Sequence, residues 1–146
     1  MSSPESKPTS IWKRLRTALI VIMIAIQFIP VDRNNPPVEA PLVADAAVME
    51  VLKRACYDCH SNETVWPWYS YVAPASFLVA HDVEEAREHM NFSDWESRDE
   101  EWQAHHREEV WEEVEEGEMP LWFYTPLHSE ADLSEADMEI LRKWAE

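Results

Sequence analysis

A single glycine, Gly117, serves all 146 residues, where average usage is about 7%. So few residues free to take left-handed backbone leave few tight turns, and the chain reads as mainly helical. Cysteine is almost as scarce: Cys56 and Cys59 are the only two. That excludes a disulfide framework and a zinc site built from cysteines alone. Basic residues are scarce beyond the N-terminus. Residues 34–146 hold 7 basic against 27 acidic residues, a net of −20. Such a surface is repelled by nucleic acid and by anionic headgroups, so no nucleic-acid partner is expected. It suits basic protein partners or adaptation to high salt, and much of it is a solvated face. No strand-like alternation and no internal repeat is present.

No uninterrupted apolar run reaches the ~20 residues of a spanning helix. The nearest is Ala18 to Ile26, extended through Phe28 and Ile29. Counted from Ile11 to Pro30 the stretch does reach 20 residues, with Lys13, Arg14 and Arg16 free to snorkel to cytoplasmic headgroups. Residues 1–33 carry five basic and two acidic residues, a net of +3. The alternative is a cleaved signal peptide, but no small-x-small site follows the run closely; Ala44-Asp45-Ala46 lies far downstream. An uncleaved N-terminal transmembrane helix is the expectation. Either way, residues 31–146 lie outside the cytoplasm. The division expected is a cytoplasmic tip and anchor over 1–30, a linker over 31–42 rich in Pro and Asn, and one domain over 43–146.

Both cysteines fall in Cys56-Tyr57-Asp58-Cys59-His60. A C-x-x-C pair can be a redox dithiol, part of a zinc site or a simple disulfide, but a following His points to covalent haem attachment. Each thiol adds to one vinyl group of a porphyrin. The adjacent imidazole of His60 then ligates the iron. A dithiol does not need His60, and a structural zinc site lacks further cysteine ligands.

The helices can be placed from period and punctuation. A helix over 45–59, with Asp45 as N-cap and Val48, Val51, Leu52 and Ala55 on one face, delivers both thiols at its C-terminal end. Pro67 and Pro74 break the loop that follows. A second helix runs from about Pro74 to Met90. Ser93 with Glu96, and Ser97 with Glu100, match capping boxes for a third. Its stripe is Trp102, His106, Val110 and Val114, and it ends at Gly117 as a left-handed cap. A last helix begins at Ser134 with Asp137 as capping box and Leu133 with Met138 as staple, and buries Met138, Leu141 and Trp144. The fold expected is all-α, with the first and last helices of the domain crossing and the loops wrapping the haem.

The sixth ligand decides between electron carrier and reactive site. Met119 follows Gly117 and precedes Pro120, on a segment stiffened by the proline, and is the preferred candidate. Its plain alternative is packing on Trp122. Met49, Met90 and Met138 are the other methionine candidates, and Met49 and Met138 belong to helical cores. His128 and then His81 are the other candidates, while His105 and His106 fit a helix face. Trp66, Trp68, Tyr69 and Tyr124 could donate N–H or O–H groups to the haem propionates. Arg87 could pair with a propionate, or with Glu84 or Glu88 on its own helix. Pro67 could offer its carbonyl to His60 Nδ1.

The segments "CYDCH", "PWY", "APAS", "NFSDW", "GEMP" and "YTPLH", in that order, resemble a bacterial haem-binding domain family. The likeness runs from the anchor through "QFIPVDRNNPP" to "DMEILRKW". It implies a small cytochrome c-like helical domain with one haem c on Cys56 and Cys59, His60 as proximal ligand and, by analogy with small cytochromes c, Met119 as distal ligand. Members often carry Gly before the arginine that here is Arg87; Ala86 makes a continuous helix the expectation instead. The function expected is electron transfer by a membrane-anchored protein in the periplasm or extracytoplasmic space, to redox partners with basic docking faces. The alternative is a peroxidase-like enzyme or gas sensor with an open sixth site, in which His81, Glu85, Arg87 and His105 assist.

Overall fold

The computed structural model describes residues 11–146, so the first ten residues of the tip and anchor expected over 1–30 lie outside the described residues. Among the described residues six α-helices run in order: α1 (Ile11–Ala25), α2 (Ala46–Ala55), α3 (Tyr57–His60), α4 (Ala75–His89), α5 (Glu100–Glu116) and α6 (Glu135–Ala145). Short 3-10 turns fill the connections, and no strand occurs among the described residues. The all-α expectation holds.

The expected transmembrane helix needs correction. α1 stops at Ala25 after 15 residues and passes into a 3-10 turn over Ile26–Phe28. At 1.5 Å per residue the α-helical part is about 22 Å long, short of a ~30 Å hydrocarbon layer. No helix among the described residues is long and apolar enough to cross a membrane. α1 buries nothing against the domain. The turn after it is nonetheless fastened: the Gln27 side-chain amide donates to Ala73 O (3.0 Å) and its Oε1 accepts from Ala73 N (3.0 Å).

The Pro-rich stretch after α1 is extended, but it is not a free spacer. It lies along the domain. Ala40 N donates to Ser93 O (3.1 Å) and Leu42 N to Phe92 O (2.7 Å), and Leu42 is buried.

The expected helix over 45–59 is bent. α2 ends at Ala55, Cys56 takes φ −123° and ψ −32°, and the single turn of α3 follows. Asp45 stands at the N-cap of α2 without a side-chain cap bond. The capping boxes expected at Ser93 and Ser97 do not form. Ser93 is buried and its hydroxyl accepts from Asn62 N (2.9 Å), while Ser97 donates to Asp94. Asp99 caps α5 instead, accepting from Trp102 N at 2.9 Å. Gly117 ends α5 at φ +76°, in the left-handed region where a Cβ is disfavoured. α4 runs unbroken through Ala86.

The core is an aromatic stack with helices around it. Tyr57 stacks on Phe92 (5.1 Å between centroids), Phe92 on Trp95 (5.7 Å), and Trp95 meets Trp102 and Trp144 (5.3 and 5.9 Å). Leu52 of α2 and Leu141 of α6 are fully buried in the same cluster. α2 and α6 pack together, as expected, and Arg54 joins them by an ion pair to Asp137 (2.6 Å).

The capping box at Ser134 forms as read, with Asp137 N donating to Ser134 Oγ and Ser134 N to Asp137 Oδ2. The Ser134 hydroxyl first, and Arg54 with it, hold the Asp137 carboxyl below its usual range. The unfolded chain therefore takes up that proton at higher pH than the folded one. This contribution is complete above pH ~4 and is lost as pH falls below it. Ser134→Ala should cost about 1 kcal/mol, lowering the melting temperature by roughly 4–8 °C. Thermal unfolding at pH 7 and again near pH 3 checks both size and sign, because the difference should shrink in acid.

Candidate functional site

Cys56 sits at the bend between α2 and α3, and its carbonyl accepts from His60 N (2.9 Å) and Cys59 N (3.2 Å). One turn of helix thus carries Cys59 and His60, and all three side chains line one cavity of about 290 Å³. The cavity floor comes from Met90, Phe92, Val110 and Val114. Met119, Pro120, Leu121 and Tyr124 of the loop after α5 line it as well. The Met119–Pro120 peptide is cis. The backbone N–H groups of Glu118 and Met119 both donate to Glu113 O (3.0 and 3.1 Å), which hangs this loop from the end of α5.

His60 is held in one tautomer. Its Nδ1 lies 3.2 Å from Met90 O, which can only accept, so Nδ1 carries the proton and Nε2 keeps its lone pair. Burial pushes the imidazole below its ordinary pKa. The carbonyl expected from Pro67 is not the partner; it accepts from Ser70 N and Oγ instead. His60 O in turn accepts from Phe92 N at 2.8 Å, so the α3 turn and the start of the Phe92 segment brace each other.

No disulfide joins the cysteines. Burial, and then each thiol's neighbours (Cys59 for Cys56, Asp58 and Asp82 for Cys59), push both thiols up to about 12. A redox dithiol needs a thiol lowered towards neutrality, and a zinc thiolate needs a deprotonated one. Neither thiol is lowered here, which argues against a redox dithiol. Two thiols, a neutral imidazole with a free Nε2, apolar side chains and a thioether lining one cavity fit haem.

The aromatic and basic residues expected at the propionates are mostly elsewhere. Trp68 is 75% exposed and does not line the cavity. Trp66 donates to Asn35 Oδ1 (3.3 Å). Tyr69 is bonded to His128 Nε2 (2.8 Å). Arg87 neither enters the cavity nor pairs with Glu84 or Glu88. It donates to Ser61 O (2.7 Å), Asn34 O (2.9 Å), Asn35 Oδ1 (2.9 Å) and Thr64 Oγ1 (2.8 Å), tying the stretch after α1 to the loop after α3. Its planar fork is spent on carbonyls and one hydroxyl. Tyr124 does line the cavity, but its hydroxyl donates to Asp58 Oδ2 (2.8 Å). No Lys or Arg lines the cavity among the described residues, whereas Asp58, Asp82, Glu109 and Glu113 do.

Asp58 was not singled out by its sequence. It lies between the two cysteines and joins both sides of the site: Oδ1 accepts from Val65 N (2.9 Å) and Oδ2 from Tyr124. The loop carrying Met119 is therefore closed onto the loop after His60. Phe92 was missed for the same reason, since only tertiary contact brings it to the cysteines, and Met90 serves through its backbone carbonyl rather than its sulfur. Among the other candidate ligands, His128 stacks on Tyr124 (4.0 Å), has both ring nitrogens bonded and does not line the cavity. His81 is 61% exposed beside Glu85, and His105 is exposed. Neither these two nor Glu85 or Arg87 lines the cavity, so the constellation suggested for peroxide chemistry is not assembled there.

No curated protein and no solved structure matches this chain. A family model described as a haem-binding domain matches residues 21–146, from the second half of α1 to the end of α6. That span takes in the cysteine pair, His60 and Met119 together, and the chain belongs to the haem-binding domain family.

Proposed function

We propose that this protein is a c-type electron carrier. Cys56 and Cys59 hold one haem through two thioethers, His60 supplies the proximal ligand and Met119 the distal one. The observation that carries this reading is a single cavity lined together by both thiols, the imidazole and the Met119 loop. When bound, haem supplies a one-electron iron couple. The chain's own residues set its surroundings. Met90 O keeps the His60 lone pair on Nε2. Val110, Val114 and Phe92 exclude water from one side. The four carboxylates at the cavity repel anions and leave the propionates to solvent. Thioether formation moves each S–H across a vinyl double bond and loses no atom. Intact mass after co-expression with haem-maturation machinery should therefore rise by one whole haem. The pigment should stay with the protein through acid-acetone extraction, and Cys56→Ser/Cys59→Ser should lose it. Colour that washes out of the wild type would sink the covalent reading.

We also propose that α1 attaches the protein to a membrane, with the domain on the extracytoplasmic side. Every side chain of α1 is exposed, and Leu19, Ile20, Val21, Ile22 and Ile24 are each more than half exposed. Gln27, bonded to Ala73, marks the end of this apolar rod nearest the domain. Lys13, Arg14 and Arg16 mark the other end. The protein should sediment with membranes after alkaline carbonate washing, and removal of residues 1–29 should release it. Partition of the intact protein into the soluble fraction would count against attachment. The acidic surface supports redox partners with basic faces, through encounters that slow as salt rises.

A further inference from the structure

Beside the haem cavity, α4 and α5 bring together three side chains with metal-ligand chemistry. His89 is the last residue of α4, and His106 and Glu109 lie one turn apart on α5. Their donor atoms all fall within 4.8 Å of one another. His89 Nε2 is 3.0 Å from Glu109 Oε1, and His106 Nε2 is 3.8 Å from Glu109 Oε2. Ligand atoms about 2.0–2.1 Å from a tetrahedral zinc ion stand roughly 3.3 Å apart. The two distances, one to each Glu109 oxygen, bracket that spacing, and all three donor atoms lie within 4.8 Å of one another.

The buried member is already oriented. His106 Nδ1 donates to Trp102 O (2.9 Å), and its ring stacks on Trp102 with centroids 3.7 Å apart. That bond puts the proton on Nδ1 and leaves Nε2 as a lone pair aimed at Glu109, the outer-shell arrangement typical of a metal-binding histidine. His89 is 58% exposed at its side chain, so an ion can enter from solvent. His89 and Glu109 also line the haem cavity, where no Lys or Arg offsets the carboxylates. A divalent cation is the charge this corner lacks.

We propose that His89, His106 and Glu109 form a zinc site with three protein ligands and one position open to water. On binding, the proton shared between His89 Nε2 and Glu109 passes to solvent and the ion takes its place. The ion then clamps the end of α4 to α5, one residue from the Met90 carbonyl that orients His60.

The test uses the full-length, haem-loaded protein in detergent, freed of metal by chelator and titrated with zinc chloride at physiological salt against a competing dye. One zinc per chain is expected, with an absorption-edge spectrum showing nitrogen and oxygen neighbours and no sulfur. His89→Ala, an exposed change that should leave the fold intact, and Glu109→Gln should each weaken binding at least tenfold. His81→Ala, elsewhere on α4, should bind as the wild type does. Circular dichroism accompanies His106→Ala, whose side chain is buried. The proposal is overturned if no stoichiometric zinc binds, if His89→Ala and Glu109→Gln bind like wild type, or if sulfur appears in the shell, which would put the metal on Cys56 and Cys59.

Discussion

Met119→Ala should produce the largest change in redox behaviour. The residue lines the same cavity as His60, in a loop hung from Glu113 O and latched by Tyr124 to Asp58. Thioether ligation favours ferrous iron and raises the potential. Axial ligands set haem potentials over ~0.8 V, so loss of the sulfur should lower the midpoint by a sizeable fraction of that window. The near-infrared band of sulfur-ligated ferric haem should disappear, and carbon monoxide should bind the reduced variant quickly. The fold should survive, because Met119 is only half-buried and lies outside the aromatic core. A variant whose spectrum and potential match the wild type would remove Met119 from the iron. It would reopen the question of the distal ligand, since His128 is held by Tyr69 and Glu130.

The second large effect is on stability. Trp95 is 1% exposed and touches Phe92, Trp102 and Trp144, three rings from the cavity floor, α5 and α6. Trp95→Ala removes the member that joins them, and the small neighbours available cannot refill the space. The expected cost is about 3–5 kcal/mol, a large share of the ~5–15 kcal/mol that holds a domain folded. Urea unfolding of the haem-free protein should show it most clearly, because bound haem adds its own stabilisation of the native state. Trp95→Phe should recover much of the loss. Trp68→Ala provides the contrast: that ring is exposed and should cost well under 1 kcal/mol. Equal effects from the two tryptophans would contradict the packing described.

Helix boundaries were readable where a single residue type settles them locally. Ser134 with Asp137 starts α6, and Gly117 ends α5. The serines at 93 and 97 carried the same local signal and failed. Ser93 was claimed by Asn62, which is distant in the chain but adjacent in the fold. Local pattern cannot register such a competitor. Arg87 failed in the same way. It looked like a cation free for a propionate, yet its donors meet Asn34 and Asn35 from more than fifty residues earlier.

Composition and spacing alone determined that this chain is helical, acidic and built around one cysteine pair followed by histidine. Those properties depend on residue identity, and on neighbours within a few positions. Only the tertiary structure decided that Met90 O orients His60, that Asp58 latches the loop bearing Met119, and that two histidines and a glutamate converge between α4 and α5. Each of those pairings closes a long loop, and what offsets that entropy is burial across the whole core. No short window of sequence contains it.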